Sequence, residues 1–307
     1  MSYVKFENIH CSTDENINLI GLDLKIEKGS IFGVLSERQE VGTLIAELIS
    51  GITLPSKGTI TINSINTKEN YEEIRKFTGV VSRDFRMYSY MSAYQNLIFF
   101  GNIKTQDPKF IQDRTSFLMH ELNVWHTHDK KLCDLDTSSK IKLSIARALL
   151  SKPELLILDE PFSKLNRGSQ EEVKNFITEI AQKENLTVII CSEFPEDLSF
   201  CDKYAILNGG KCIISGDFIA LEKASGIKKT AFIKCENRDL SKDLGMKKES
   251  NFVYTQTLDE NEKIGNLIKS AALIDADITE AGIRNPDLNE ICNKIIEISK
   301  KEGRSEE

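Results

Sequence analysis

The sequence predicts an α/β fold built on a parallel sheet, and three observations carry that expectation. Leu155-Leu-Ile-Leu158 is apolar without alternation, as a strand covered on both faces of a parallel sheet is. Ahead of it, Ile141, Ile145, Ala148 and Leu149 fall on one helical stripe, and Pro153 stops that helix because it has no N–H to donate. Earlier, Gly29-Ser-Ile-Phe-Gly-Val-Leu35 reads as a strand leading through Ser36–Thr43 into a second helix. That helix has Leu44, Ile45, Leu48 and Ile49 on one face and is ended by Gly51.

Composition bounds the function classes. The 307 residues carry a net charge of −7, with 40% hydrophobic and 28% charged residues. A nucleic-acid surface would need a basic stripe, so nucleic acid is not expected as a partner. Nothing approaches an 18-residue apolar run, and the N-terminus is too charged for a signal peptide. The seven cysteines are odd in number and lack CxxC spacing, which reads as reduced cytosolic usage, neither a disulfide frame nor a metal site. There is no internal repeat.

In chain order, residues 2–6 and 22–26 alternate as half-buried strands, and Thr59–Ile62 follows the turn at Pro55–Gly58. Gly79–Asp84 is a strand with its trailing loop, and residues 98–132 are helical in pattern. They hold the single tryptophan, Trp125, which reads as a packing residue. Asp159 and Glu160 sit at the carboxyl end of the 155–158 strand, where α/β sheets place ligands, although acidic residues also end buried strands simply to reach water. Ser169-Gln-Glu-Glu172 reads as a capping box opening a helix with Val173, Phe176, Ile177 and Ile180 inward. Thr187–Cys191 is another buried strand, and Asn208-Gly-Gly is a hairpin turn. Residues 223–230 read as a linker after a domain at 1–222. A small α+β domain follows at 231–300, with strands at 231–235, 252–256 and 276–283. Its helix carries Ile264, Leu267, Ile268 and Ala271, a final helix is led by Pro286, and residues 301–307 form a frayed tail. This domain reads as a docking or stabilising unit without chemistry.

Leu143-Ser-Ile-Ala-Arg-Ala-Leu149, then Leu155-Leu-Ile-Leu-Asp-Glu-Pro161, then Ser163-Lys-Leu-Asn166 resemble one family in order: the ATP-binding subunits of ABC transporters. The resemblance covers about residues 1–220. It implies a P-loop NTPase-type parallel sheet, an antiparallel β subdomain beside the base, and a helical insert at about 85–140. It implies ATP and magnesium as cofactors, a membrane permease as partner, and sites shared across a dimer. Asp159 and Thr43 would hold magnesium, and Glu160 would be the general base.

Several positions depart from the family. Ser36, Gln39 and Val41 stand where three glycines would let backbone N–H groups converge on phosphates, and Gly42 replaces the phosphate-binding lysine. Glu37 and Glu40 add negative charge there, which Arg38 offsets only in part. Arg83 replaces the Q-loop glutamine, and Glu193 the switch histidine. Leu135-Asp-Thr-Ser-Ser139 replaces the signature, leaving Ser138 and Ser139 to donate at a helix N-terminus. Residues 11–15 offer no aromatic ring for adenine. Tyr88–Leu97 resembles the link to the permease, and 278–290 the end of drug- and bacteriocin-exporter subunits.

Three functions follow: a working ATPase subunit of an exporter, a non-catalytic assembly or regulatory subunit paired with an intact ABC ATPase, or a soluble regulator without a permease. The first two place the chain in the cytoplasm, peripheral at the inner face of the membrane.

Overall fold

The computed structural model describes residues 2–13, 17–105, 107–258 and 264–303, and it forms two compact units, Met1–Phe218 and Ile219–Glu307. Asp14 and Glu15, in the stretch read as lacking an adenine-stacking ring, lie outside the described residues, as do residues 304–307 of the expected tail.

The first unit opens with β1 (Ser2–Ser12) and β2 (Asn18–Glu27), then β3 (Ile31–Ser36) and α1 (Gln39–Ser50). β4 (Lys57–Ile62), β5 (Ile65–Asn66), α2 (Tyr71–Phe77) and β6 (Thr78–Val81) follow. The insert consists of α3 (Ala93–Lys104) and α4 (Pro108–Glu121), and α5 (Thr137–Leu149) returns the chain to β7 (Leu155–Asp159). Then come α6 (Arg167–Glu184), β8 (Thr187–Ser192), β9 (Lys203–Asn208) and β10 (Lys211–Gly216), with α7 (Phe218–Ser225) at the boundary. The helix α7 occupies the first residues of the expected linker, and the units divide four residues before position 222.

One sheet has the order β10-β9-β3-β8-β7-β6, parallel except for the β9–β10 hairpin at Asn208-Gly209-Gly210. Its central strands β3, β8 and β7 are buried along their whole length, which explains their unbroken apolar runs. The antiparallel sheet β2-β1-β4-β5 packs Phe6, Leu22 and Ile60 onto Ile45 and Ile49 of α1, joining both sheets in one core.

Local chemistry fixes the helix ends. Gly51 takes a left-handed φ of 67° and caps α1 through the Glu47 and Leu48 carbonyls. Ser92 and Gln95 make a capping box on α3. Asn96, fully buried, ties down residues 88–92 through the Tyr88, Met91 and Ser92 carbonyls and the Tyr88 N–H. The cap of α6 is Asn166, whose Oδ1 accepts from the Ser169 N–H at 2.9 Å, so the helix starts earlier than a Ser169 capping box requires. Trp125 stacks between His120 and His128, with ring centroids 4.6 and 4.9 Å away, and packs the insert.

The second unit contains β11 (Thr230–Cys235), α8 (Leu240–Asp243), β12 (Lys247–Ser250), β13 (Val253–Thr257), α9 (Ile264–Leu273), β14 (Ile278–Arg284) and α10 (Leu288–Gly303). The strand order β12-β13-β11-β14 is antiparallel throughout, a split β-α-β-β-α-β sheet of ferredoxin-like topology. Ala231, Ile233, Cys235 and Tyr254 form its core with Leu267 and Ala271 of α9. Residues 301–303 continue α10 where fraying is expected.

Gly79 lets β6 lie against the end of α5, since a Cβ there would stand 2.4 Å from the Ala148 carbonyl oxygen. Gly79→Ala is expected to destabilise the chain by about 1–3 kcal/mol, read as a lower urea midpoint at unchanged slope.

Candidate functional site

The carboxyl ends of β3, β8 and β7 lie side by side, with Leu35 in register with Ser192 and Cys191 with Asp159. This is the edge at which an α/β sheet presents ligand groups. It brings Ser36, Gly42, Thr43, Asp159, Glu160 and Glu193 together, with Arg83 reaching in from the loop after β6.

The segment after β3 is short. Ser36 is buried and its hydroxyl donates to the Arg38 carbonyl at 3.0 Å, and α1 already begins at Gln39. The Val41 N–H donates to the Arg38 carbonyl at 3.0 Å, so this amide serves the helix rather than a converging nest. Among the described residues of 36–43 none has a positive φ. The expected loop to Thr43 is therefore mostly helix.

Gly42 faces β8. A Cβ built on it would stand 3.1 Å from the Cys191 Cβ and 3.5 Å from the Ser36 hydroxyl. The Thr43 hydroxyl lies 2.9 and 3.2 Å from the two carboxylate oxygens of Asp159. Arg83 donates to the Gln39 side-chain oxygen at 2.7 Å. With Ser82, Asp159, Glu160 and Ser163, Arg83 lines a crevice of about 20 Å³, room for roughly one water molecule.

Burial decides the electrostatics. Asp159 is 3% exposed and pushed up to about 6 by desolvation, against the pull of the Thr43 hydroxyl and the Arg83 charge. Glu160, 8% exposed, is pushed up to about 7 by desolvation, with the Glu193 N–H opposing that rise. Its Oε1 accepts from that N–H at 2.9 Å, and its Oε2 lies 3.3 Å from the Ser192 hydroxyl, which is 2.9 Å from Asp197. The sequence gives no sign of Ser192, Asp197 or Cys191 as members of this cluster, because only strand register and the turn after β8 bring them here.

Ser138 and Ser139 stand apart, at the start of α5. They do not point outward as free donors. The Ser139 N–H and hydroxyl bond to Asp136 at 2.8 and 3.0 Å, and the Ser138 hydroxyl bonds to Ser169 at 3.2 Å. Asp136 thus caps its own helix, and the Ser139 N–H holds its carboxyl below the usual range. On the other flank a cavity of about 270 Å³ is lined by Ile17, Asn18, Glu37, Arg38, Val41 and Asn208 among others, without an aromatic ring among the described lining residues.

The family profile "ABC transporter" matches residues 19–163. The chain is 26% identical over 197 residues to the ABC transporter ATP-binding protein NatA of Bacillus subtilis, covering 64% of this chain and 80% of that one. It is 24% identical over 211 residues to the linearmycin resistance ATP-binding protein LnrL of the same organism, covering 68% of each. The solved structure of cbiO1 from Clostridium perfringens, part of the ABC transporter complex cbiONQ, superposes with a TM-score of 0.64 at 22% identity, over 70% of this chain and 88% of that one. Residues 19–163 are thus an ABC transporter domain, and the first unit has the fold of an ABC cassette. Cassettes of this family bind ATP and magnesium, dimerise and partner with membrane permeases.

Position 42 gives a direct test of the packing. Gly42→Lys is expected to destabilise by about 1–3 kcal/mol in urea unfolding, since its Cβ must displace α1 from Cys191.

Proposed function

We propose that this chain is the ATP-binding-cassette subunit of a membrane transporter and the half that does not hydrolyse ATP, supporting assembly or regulation beside an intact homologue. The carrying observation is that Gly42, which has no side chain to reach a phosphate, stands at the place of the phosphate-binding lysine, tightly against Cys191. Two further contacts support it. Thr43 and Asp159, which would hold magnesium, are bonded to each other, and a guanidinium stands where the Q-loop glutamine would. The residues of this chain therefore do not fit magnesium-ATP.

Magnitudes favour the same side. A helix N-terminus offers an anion roughly 0.3–1 kcal/mol, whereas each lost charge-assisted phosphate contact costs roughly 1.5–3 kcal/mol. Glu37 and Glu40 add repulsion at the same place. The working-ATPase reading keeps one observation, the placement of Asp159 and Glu160 at the end of β7. A general base without a placed phosphate has nothing to act on.

Among the described residues no helix is long and apolar enough to cross a membrane. Attachment would therefore come through the permease, with this chain on the cytoplasmic side. Likeness to the linearmycin resistance protein is what supports export as the direction. In a head-to-tail heterodimer, the start of α5 would face the partner's nucleotide with Ser138 and Ser139 already bonded to Ser169 and Asp136, and hydrolysis would occur at the partner's phosphate loop.

The test is Glu160→Gln in the complete transporter, set against the equivalent change in the partner subunit. Turnover within about twofold of wild type here, with loss of about 10²-fold or more from the partner's change, is the expected outcome. Equal losses would make this chain a hydrolysing half.

A further inference from the structure

The turn at residues 125–128 seats the single tryptophan between two imidazoles. The His120 ring, at the end of α4, has its centroid 4.6 Å from that of Trp125, with planes 16° apart. The His128 ring lies 4.9 Å away and only 2° off parallel. Tyr94 of α3 meets the same indole edge-on at 6.3 Å.

The two nitrogens of His128 decide its state. Nδ1 lies 3.0 Å from the Trp125 carbonyl oxygen, and Nε2 lies 2.8 Å from an Asp129 carboxylate oxygen. Both partners only accept. A neutral imidazole has one N–H and satisfies one of them, whereas the imidazolium has two and satisfies both. Asp129 is 86% exposed, so the ion pair alone contributes little. The Trp125 ring adds to it, because the face of an indole attracts a cation. The other titratable groups on these elements are Tyr94 of α3, Asp113 and Glu121 of α4, His126 in the turn, and Lys130 and Lys131 beyond it. Among the described residues none of them bonds to either imidazole.

This ring sits at the root of a backbone ladder. The Tyr94 N–H donates to the His128 carbonyl and the Ala93 N–H to the Lys130 carbonyl, each at 3.0 Å. The Leu132 and Cys133 N–H groups donate back to the Met91 and Ser89 carbonyls at 3.1 and 2.9 Å. We infer that His128 is a proton-operated clamp on the insert. As the imidazolium it holds both acceptors and the Trp125 face, which fixes the turn and the ladder that the turn carries. The ring is 39% exposed, so its proton exchanges with solvent. The neutral ring lets go of either Asp129 or the Trp125 carbonyl and loosens residues 89–94. Histidine is the side chain that makes such a change between about pH 5 and 8. The inference rests on the proposed function only for what the ladder serves, since residues 88–97 would be the link to the permease.

Trp125 is the single tryptophan, so intrinsic emission of the full chain reads this stack alone. An imidazolium in face contact quenches an excited indole by accepting an electron from it, and the neutral ring does not. In His120→Gln, where only His128 still stacks, emission should fall about twofold or more from about pH 8 to about pH 5.5. Adding His128→Gln should abolish the fall. Amide exchange at residues 93 and 94, corrected for its intrinsic pH dependence, should slow about threefold or more over the same range in the wild type and not in His128→Gln. If circular dichroism shows His128→Gln unfolded, Asp129→Ala decides instead, since it leaves ring and stack in place and should shrink the exchange response about twofold or more. A fall in emission that persists in the double variant, exchange at 93 and 94 that ignores pH in the wild type, or a full exchange response in Asp129→Ala overturns the inference. Neither readout involves nucleotide, so a failed Glu160→Gln experiment would overturn the proposed function and leave this result standing.

Discussion

Helix α1 lies so close to β8 that a side chain at position 42 would press on Cys191, its Cβ 3.1 Å away, and most of the site's character depends on that approach. With Gly42 against Cys191, the next residue, Thr43, brings its hydroxyl within 2.9 Å of Asp159. The helix begins at Gln39, which in turn receives Arg83. Polar groups that the resemblance assigns to a phosphate and a cation are thus satisfied within the chain. A buried carboxylate without such partners would cost several kcal/mol. The internal contacts make Asp159 tolerable at 3% exposure without a bound cation.

Charge is divided between two faces of the first unit. The carboxyl edge of the sheet gathers Asp159, Glu160, Glu193 and Asp197, with Glu37 and Glu40 beside it, and desolvation keeps Glu160 near neutrality. A groove by α3 gathers cations and no acid. Asp159 and Glu160 belong at the carboxyl edge in a working cassette, whereas Glu37, Glu40 and Glu193 add negative charge where a triphosphate would sit.

Much of this was legible in the sequence, for identifiable reasons. The apolar run 155–158, the stripe Ile141, Ile145, Ala148 and Leu149, and the Asn208-Gly-Gly turn each encode local structure directly, and each element is present. The substitutions at 36, 39, 41, 42, 83 and 193 were readable as chemistry. Their consequences were not, because Cys191 meets Gly42, and Ser192 and Asp197 meet Glu160, only through pairing of strands far apart in sequence. The signature serines read as free donors in the sequence, but Asp136 closes on Ser139 as a helix cap and the Ser138 hydroxyl bonds to Ser169. In the second unit β12 escaped notice because Lys247-Lys-Glu-Ser250 is a fully exposed edge without apolar alternation.

Calorimetric titration of the isolated full-length chain with magnesium-ATP tests the central claim most directly. With Gly42 closed against Cys191 and Thr43 bonded to Asp159, the dissociation constant should be about millimolar or weaker, near −4 kcal/mol or less favourable. Micromolar binding would mean that α1 moves away from β8 to admit the nucleotide, and would contradict the account.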